Sequence, residues 1–329
     1  SFAEGFRAPS IGELFGSQAR FDAQLTDPCN NGGGGAPGCA GVPNDYVQLN
    51  PQISTVTGGN PNLNPEEAET LTLGMVYSPS WADDTSWSNS LDFEITYYDI
   101  EIDGAIQAVG AQFILDTCAT EPTHPLCSSF GRDSFGNIEN FTTQLTNIGG
   151  IQTSGVDFNV SWTSPQFDWG FVQSTWNNSF VNNFDELNPA DPNVHPSGFA
   201  PRDLDGIEQA DSGIPNWNSN LFTTFNIHNW KVTWGTRFSG GMTETCPGSV
   251  AGLGLCSDDA SGTNSLGGTA YHDLQVIFPK LGEFEIEAGV NNITDKMPPT
   301  CFSCSLNGYD PSNYDPEGSF GYVRATLKF

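Results

Sequence analysis

Cysteines are the residues of this sequence whose spacing points most directly to chemistry. The eight cysteines fall into four close pairs: Cys29 with Cys39, Cys118 with Cys127, Cys246 with Cys256, and Cys301 with Cys304. Each pair lies in a polar segment rich in Gly, Pro and Asp, and an even number in local pairs predicts disulfides formed in an oxidising compartment. Cys301-Phe302-Ser303-Cys304 also has the spacing of a zinc-binding turn. No second pair with that spacing accompanies it, which favours disulfides over zinc.

Aromatic side chains in the polar segments are candidates for ligand contact, because their rings can stack on a sugar or another ligand. The predicted ligand-binding residues are Phe113, Phe130, Phe135, Tyr309 and Tyr314. The alternative is that these rings pack the loops together.

Other polar residues give weaker signals of a site. Three acidic clusters could bind calcium: Asp203/Asp205, Asp258/Asp259 and Asp310/Asp315/Glu317. None has the spacing of an EF-hand, so solvated acidic loops are expected. The four histidines are scattered, and no GxSxG, HExxH or P-loop pattern is present. We therefore expect no catalytic residue, no metal and no cofactor, and the protein is not predicted to be an enzyme.

The charge and composition of the chain exclude several classes of protein. Lys and Arg number 10 against 39 Asp and Glu, which gives a formal net charge of -29, so nucleic acid would be repelled. A hydrophobic content of 37% is low for a globular core, yet 12% aromatic residues argue against disorder. A transmembrane β-barrel accounts for both values, because only every second strand residue must be apolar. The sequence has no apolar run long enough for a membrane-spanning helix.

Apolar and polar residues alternate with the period of a β-strand in about ten segments. The predicted strands are Ser1–Ser10, Glu69–Tyr77, Ser90–Ile102, Gly155–Thr163, Phe171–Val181, Asn220–His228, Lys231–Ser239, Tyr271–Phe278, Glu283–Val290 and Gly318–Phe329. The alternation predicts that Phe93, Phe158, Val232, Ile286 and Leu327 face lipid. A change of phase near Asp99 predicts a β-bulge there. Phe329 at the end of the last strand is typical of an interfacial aromatic residue of a barrel.

The connections between these strands alternate in length. Long ones lie near Ile11–Leu63, Gly104–Gly149, Asp185–Gly213, Gly240–Gly268 and Asn292–Glu317, and they hold all four cysteine pairs. Tryptophans accompany the short ones: Trp81, Trp87, Trp162, Trp169 and Trp230. Long extracellular loops opposite short periplasmic turns, with an aromatic belt, are typical of bacterial outer-membrane barrels.

Several stretches resemble the barrel of a TonB-dependent outer-membrane receptor. They are Ser1–Phe15 (SFAEGFRAPSIGELF), Asn60–Tyr77 (NPNLNPEEAETLTLGMVY), Gly149–Val160 (GGIQTSGVDFNV), Gly289–Lys296 (GVNNITDK) and the closing Tyr322–Phe329 (YVRATLKF). Together they cover nearly the whole chain in the family's order.

The resemblance implies an all-β fold, an antiparallel transmembrane β-barrel of which residues 1–329 supply the C-terminal portion, about ten of about 22 strands. The family's plug domain and N-terminal barrel strands have no counterpart in the sequence, so an N-terminal part is expected to be missing. The implied function is TonB-dependent uptake of a scarce nutrient, an iron chelate, cobalamin or an oligosaccharide, captured by the loops. The implied location is the bacterial outer membrane. The implied partners are lipid and lipopolysaccharide, the TonB complex through the missing region, and a small-molecule or oligosaccharide ligand.

Two other functions remain open at this point. A smaller, complete barrel could be an outer-membrane hydrolase with an acid/base set such as Asp203 and His195 at its rim. It could also be a passive pore or an adhesin.

Overall fold

The computed structural model describes residues 1–147, 149–189, 199–208, 213–246, 252–258, 260–279, 282–304 and 308–327, with the backbone alone at 187–189 and 199–202. Lys328 and Phe329, at the end of the predicted terminal strand, lie outside the described residues, as do Asp259 and His195.

One antiparallel sheet organises the chain. Its consecutive strands are β1 (Phe2–Arg7), β2 (Glu66–Tyr77), β3 (Ser90–Asp103), β4 (Gly150–Thr163), β5 (Gly170–Pro189), β6 (Trp217–Ile227), β7 (Trp230–Ser239), β8 (Thr269–Ile277), β9 (Phe284–Asn291) and β10 (Phe320–Leu327). Each pairs with the strands before and after it in sequence. A further short strand, Phe199–Asp203, pairs with the end of β5. The ten predicted strands are confirmed, with the largest difference in β5, which continues to Pro189.

The register of the sheet separates an apolar face from a polar face. Phe93 pairs with Val160 and Ile95 pairs with Phe158, so the alternating apolar residues of β3 and β4 lie on one side. The rings of Phe93 and Phe158 stack with centroids 6.5 Å apart. The pairing of Leu327 with Phe284 continues the same face at the other edge of the sheet. The predicted apolar face is therefore continuous from strand to strand.

The predicted bulge near Asp99 is wrong. The pairing of β3 with β4 runs without interruption from Ser90 to Asp103, so Asp99, Glu101 and Asp103 remain on the side of Phe93 and Ile95. On this side of the sheet, the residues nearer the short-turn end of β3 are apolar, and the residues nearer the loop end are acidic. The register instead shifts between Ser154 and Gly155, where β5 carries the extra residue.

The long and the short connections lie at opposite ends of the sheet, as their alternation in length predicts. Because neighbouring strands are antiparallel, the connections 8–65, 104–149, 190–216, 240–268 and 292–319 all leave the same end of the sheet. The connections at the opposite end are 78–89, 164–169, 228–229 and 278–283. All cysteines therefore lie at the end of the sheet with the long loops.

The long loops contain structure that the alternation pattern does not predict. They hold the helices α1 (Ile11–Phe15) and α2 (Ala111–Thr120) and the 3-10 turns Asn30–Gly35, Pro37–Cys39 and Pro125–Ser129. Their short strands are Ala19–Gln24, Gln52–Thr57, Ile106–Ala108, Gly131–Arg132, Ile138–Glu139, Phe141–Thr142, Leu145–Asn147, Ile207–Glu208, Met242–Thr245 and Thr263–Leu266. A further 3-10 turn, Ser80–Ala82, lies in the connection between β2 and β3.

The sheet has two free edges. Among the described strands, β1 pairs only with β2 and β10 pairs only with β9. None of the described helices is long and apolar enough to cross a membrane.

Candidate ligand-capture loops

Two of the long loops pack into one unit, which we call the first loop cluster (residues 8–65 and 104–149). Its core contains Leu25 and Ile53 from one loop and Ile114, Leu115 and Phe141 from the other, all buried. Adjacent apolar residues on one side of α2 supply the centre of this core. The two loops therefore share a hydrophobic interior instead of lying separately in solvent.

Disulfides and a close backbone contact fix the first loop cluster. Cys29 is bonded to Cys39, and Cys118 to Cys127, as the sequence predicts. A Cβ atom at Gly38 would lie 1.7 Å from the carbonyl oxygen of Cys118, so only glycine fits where the two loops meet. The disulfide of each loop thus lies beside the contact between them.

A buried ion pair also joins these loops. Nη1 of Arg132 donates to Oδ2 of Asp27 at 2.7 Å, and Nη2 donates to Oδ1 at 2.7 Å. The Asp27 carboxylate also accepts from the Cys29 amide and the Tyr46 hydroxyl, and its side chain is fully buried. Burial raises the pKa of Asp27, but the hydrogen bonds from Arg132 and Cys29 outweigh it and leave the pKa below its ordinary value.

The predicted ligand-binding aromatic residues of the first loop cluster differ in how far they are exposed to solvent. Phe113 and Phe130 are half-buried against the core, and the Phe130 ring lies 5.2 Å from that of Phe141. The Arg132 guanidinium lies 5.8 Å from the Phe130 ring centroid. Phe135 is 74% exposed, at the tip of a turn held by hydrogen bonds to Asp133. Among these aromatics, Phe135 offers a ring that a ligand could stack on without repacking the loop.

The other long connections form the second loop cluster (the described residues of 204–216, 240–268 and 292–319). Its core is made of Met242, Leu266, Cys301 and Tyr314, together with Tyr271 at the start of β8. Tyr314 is 5% exposed and Tyr309 packs against this core, so both side chains contribute to packing between the loops, and their contact with a ligand stays a prediction. The disulfides Cys246–Cys256 and Cys301–Cys304 lie in these connections.

The arginines of the polar face are paired with carboxylates on neighbouring strands. Nε of Arg237 lies 2.9 Å from Asp273, and Nη1 of Arg324 lies 2.9 Å from Glu287. Arg7 at the end of β1 contacts both Glu66 and Glu13, and the latter also caps α1 through Ser10. These pairs line the polar side of the sheet below the loops.

A search of protein families matches residues 1–293 to the TonB dependent receptor-like β-barrel. The chain belongs to the TonB-dependent receptor family. Members of this family are outer-membrane β-barrels that act as transporters. The apolar face of the sheet is therefore the outer face of a barrel, and the polar face lines its interior. No curated protein sequence matches the chain.

Solved structures of similar fold support the same architecture. A variant of the ferric enterobactin receptor PfeA from Pseudomonas aeruginosa, in complex with enterobactin, matches with a TM-score of 0.58 and 15% identity over 100% of this chain and 38% of that one. The siderophore receptor PirA from Acinetobacter baumannii matches with a TM-score of 0.56 and 14% identity, again over 100% and 38%. The chain thus spans about 38% of these receptors' length and has the fold of the C-terminal portion of their barrel.

The cysteine pairs are evident from the sequence, whereas the residues that join separate loops are not. The ion pair between Asp27 and Arg132 links residues 105 positions apart, so no local pattern could show it. One signal was present for the core of the first loop cluster, since Ile114, Leu115 and Cys118 have the spacing of one helix face.

Proposed function

We propose that this chain is the C-terminal part of an outer-membrane receptor that imports a scarce nutrient with energy supplied through TonB. The family assignment carries the proposal. In this assignment the two loop clusters face the cell exterior and meet the ligand first, and the polar face of the sheet lines its path inward.

The spacing of two aromatic belts supports membrane insertion through the sheet. At the short-turn end, Trp230 packs against Phe278 with ring centroids 5.0 Å apart. At the loop end, Trp217 packs against Phe180 and Phe238, at 5.9 and 4.7 Å. The run of β5 from residue 170 to residue 180 rises roughly 33 Å along the strand, or about 25 Å along the membrane normal at a tilt of about 40°. This height equals the apolar band of outer-membrane barrels, and the acidic ends of β2 and β3 then stand above it.

The free edges of the sheet support the presence of further barrel strands in the whole receptor. Unpaired edge amides in β1 and β10 would have no water to bind in the bilayer, so each must pair with another strand. We propose that the N-terminal barrel strands close the barrel and that a plug fills its interior and reaches TonB.

The acidity of the chain favours a neutral or cationic ligand over an anionic one. The formal net charge is -29, and carboxylates such as Asp133, Glu139, Asp258 and Glu317 are distributed over the loops. Such a field repels anions and attracts cations. Among iron chelates, an uncharged or positively charged hydroxamate complex fits these loops better than a ferric tris-catecholate, which is anionic. Cobalamin and neutral oligosaccharides are compatible with the same argument.

Uptake by cells tests the proposal directly. A strain lacking the receptor gene is compared with one that carries it, with and without TonB, for accumulation of labelled hydroxamate and catecholate iron chelates, cobalamin and neutral oligosaccharides. We expect receptor-dependent and TonB-dependent accumulation of a neutral or cationic ligand. Accumulation that continues unchanged without TonB would instead indicate a passive pore. Preferential uptake of the anionic catecholate would refute the charge argument.

A further inference from the structure

The second loop cluster brings a carboxylate to the Cys301–Cys304 pair. The Sγ atoms of Cys301 and Cys304 and a carboxylate oxygen of Glu208 all lie within 4.8 Å of one another. Glu208 is contributed by a different loop and pairs with Glu244 in a short parallel ladder. Cys301 and Glu208 are each 2% exposed, whereas Cys304 is half-buried. The sequence shows two possible ligands, the cysteines of the CxxC turn. The fold brings Glu208 beside them as a third.

The turn that carries the cysteines is held in place by Glu244. Its carboxylate accepts from the amide of Phe302 at 2.9 Å and from the amide of Ser303 at 2.7 Å. Asn264 donates to the same carboxylate at 2.6 Å. Glu244 is 1% exposed and is therefore a buried anchor for the backbone between the two cysteines.

A backbone amide of the turn also makes a hydrogen bond to one of the two sulfur atoms. The amide of Cys304 donates to Sγ of Cys301 at 3.1 Å. Such a bond stabilises a thiolate, because it places a partial positive charge against the sulfur. The turn thus keeps the geometry of a chelating loop even while the sulfurs are joined.

We propose that Cys301, Cys304 and Glu208 form a binding site for a thiophilic divalent cation of the zinc type when the Cys301–Cys304 disulfide is reduced. Two thiolates and one carboxylate are zinc ligands, at about 2.3 Å from sulfur and about 2.0 Å from oxygen, and water takes the fourth position. Two thiolates on one zinc ion lie roughly 3.8 Å apart, so opening the disulfide by roughly 2 Å is sufficient. Glu244, whose Oε2 lies 3.3 Å from Sγ of Cys301, is assigned as a positioning residue because three donors already occupy its carboxylate.

A dithiol reductant supplies the electrons and protons that reduction of the Cys301–Cys304 disulfide requires. The reductant transfers two electrons and two protons to the disulfide, so the bond between the sulfurs breaks and the reductant becomes the disulfide. The cation then displaces one proton from each thiol. In the oxidised protein a covalent bond joins the two sulfurs, and in the reduced protein the metal does.

The site does not depend on the proposed transport function and can be tested separately from it. The complete receptor, purified in detergent, is titrated with Co²⁺ as the probe in oxidised form and after reduction by a dithiol. We expect a thiolate-to-cobalt charge-transfer band in the reduced protein only, and competition by Zn²⁺. Glu208→Gln should weaken the tightest site at least about 10-fold, since loss of even an outer-shell partner costs that much. Glu317→Gln, an exposed carboxylate of the loop that carries Cys301 and Cys304, is the matched control and should change nothing.

Two further variants test whether the other reduced cysteines bind the cobalt and whether the protein remains folded. Replacing Cys301 and Cys304 with serine should remove the tightest equivalent of cobalt while the other six thiols remain, with the barrel fold verified by circular dichroism. Replacing Cys118 and Cys127 with serine should leave that equivalent in place. Equal affinity of the Glu208→Gln and Glu317→Gln proteins would overturn the proposal. So would undiminished binding after loss of Cys301 and Cys304, or equal binding by the oxidised protein.

Discussion

Removal of Arg132 should open the first loop cluster without unfolding the barrel. In Arg132→Met, the buried carboxylate of Asp27 keeps the Cys29 amide and the Tyr46 hydroxyl but loses both bonds from the guanidinium. Leaving a buried charge without its partner costs about 3–5 kcal/mol. That cost corresponds to a rise of roughly a hundred- to several-thousand-fold in the population of the open loop. The hydrogen-bond partners described for this pair, Cys29, Tyr46 and Gly136, all lie in the first loop cluster, so the strands of the sheet should be unaffected.

The matched control is an exposed ion pair in the loop that carries Asp27. Nη2 of Arg20 lies 3.1 Å from Asp22, and both side chains are at least half exposed. Arg20→Met should therefore change the free energy of opening by only about 0–1 kcal/mol. Hydrogen exchange of the complete receptor, read by mass spectrometry on peptides covering 25–46 and 111–132, measures both effects. Equal exchange in the two variants would refute the reasoning.

The same pair sets the response of the loops to acid. Because the folded pKa of Asp27 lies below its unfolded value, the stability it contributes is present above the unfolded pKa and is lost as the pH falls through the folded pKa. Asp27→Asn should therefore flatten the acid dependence of hydrogen exchange in the first loop cluster. An unchanged acid dependence would show that other groups control it.

Three further predictions concern the sheet, the disulfides and the loop contact. Ile286→Arg, on the lipid-facing side, should cost about 2–4 kcal/mol in a folding assay of the complete receptor, whereas Gln275→Arg on the polar face should be milder; equal costs would reject the assignment of faces. Mass spectrometry of unreduced peptides should recover the Cys118–Cys127 bond, and free thiols there would contradict the oxidising compartment. Gly38→Ala should increase proteolysis of the first loop cluster, since its Cβ would collide with a carbonyl oxygen; protease resistance equal to that of the wild type would disprove the close approach.

The strands could be read from the sequence because their signal is local. The alternation in Glu283–Val290 arises because one side of the strand is apolar and the other is polar. The pairing of β9 with β10 could also be predicted, because consecutive strands of such a sheet are antiparallel neighbours. The same rule failed at Asp99. There the side of the strand that carries Phe93 and Ile95 becomes acidic toward the loop end, while the hydrogen-bonded register continues.

The loops could not be read in the same way. Their structure depends on contacts between distant residues, as in the ion pair of Asp27 with Arg132 and the approach of Glu208 to Cys301. Burial also differs among the candidate aromatic residues in a way that the sequence does not show. Tyr314 lies in a core, whereas Phe135 lies at an exposed tip. Ligand contact by the five candidate residues remains a prediction.

The position of the long loops relative to the cell tests the central claim most directly. An epitope inserted at the exposed tip 133–137, and in parallel one inserted in the short turn 164–169, is probed with antibody on intact cells and on cells with an opened outer membrane. We predict that the epitope at 133–137 binds antibody on intact cells and that the epitope at 164–169 binds only after the membrane is opened. The reverse pattern would place the loop clusters in the periplasm and contradict their role in capturing a ligand.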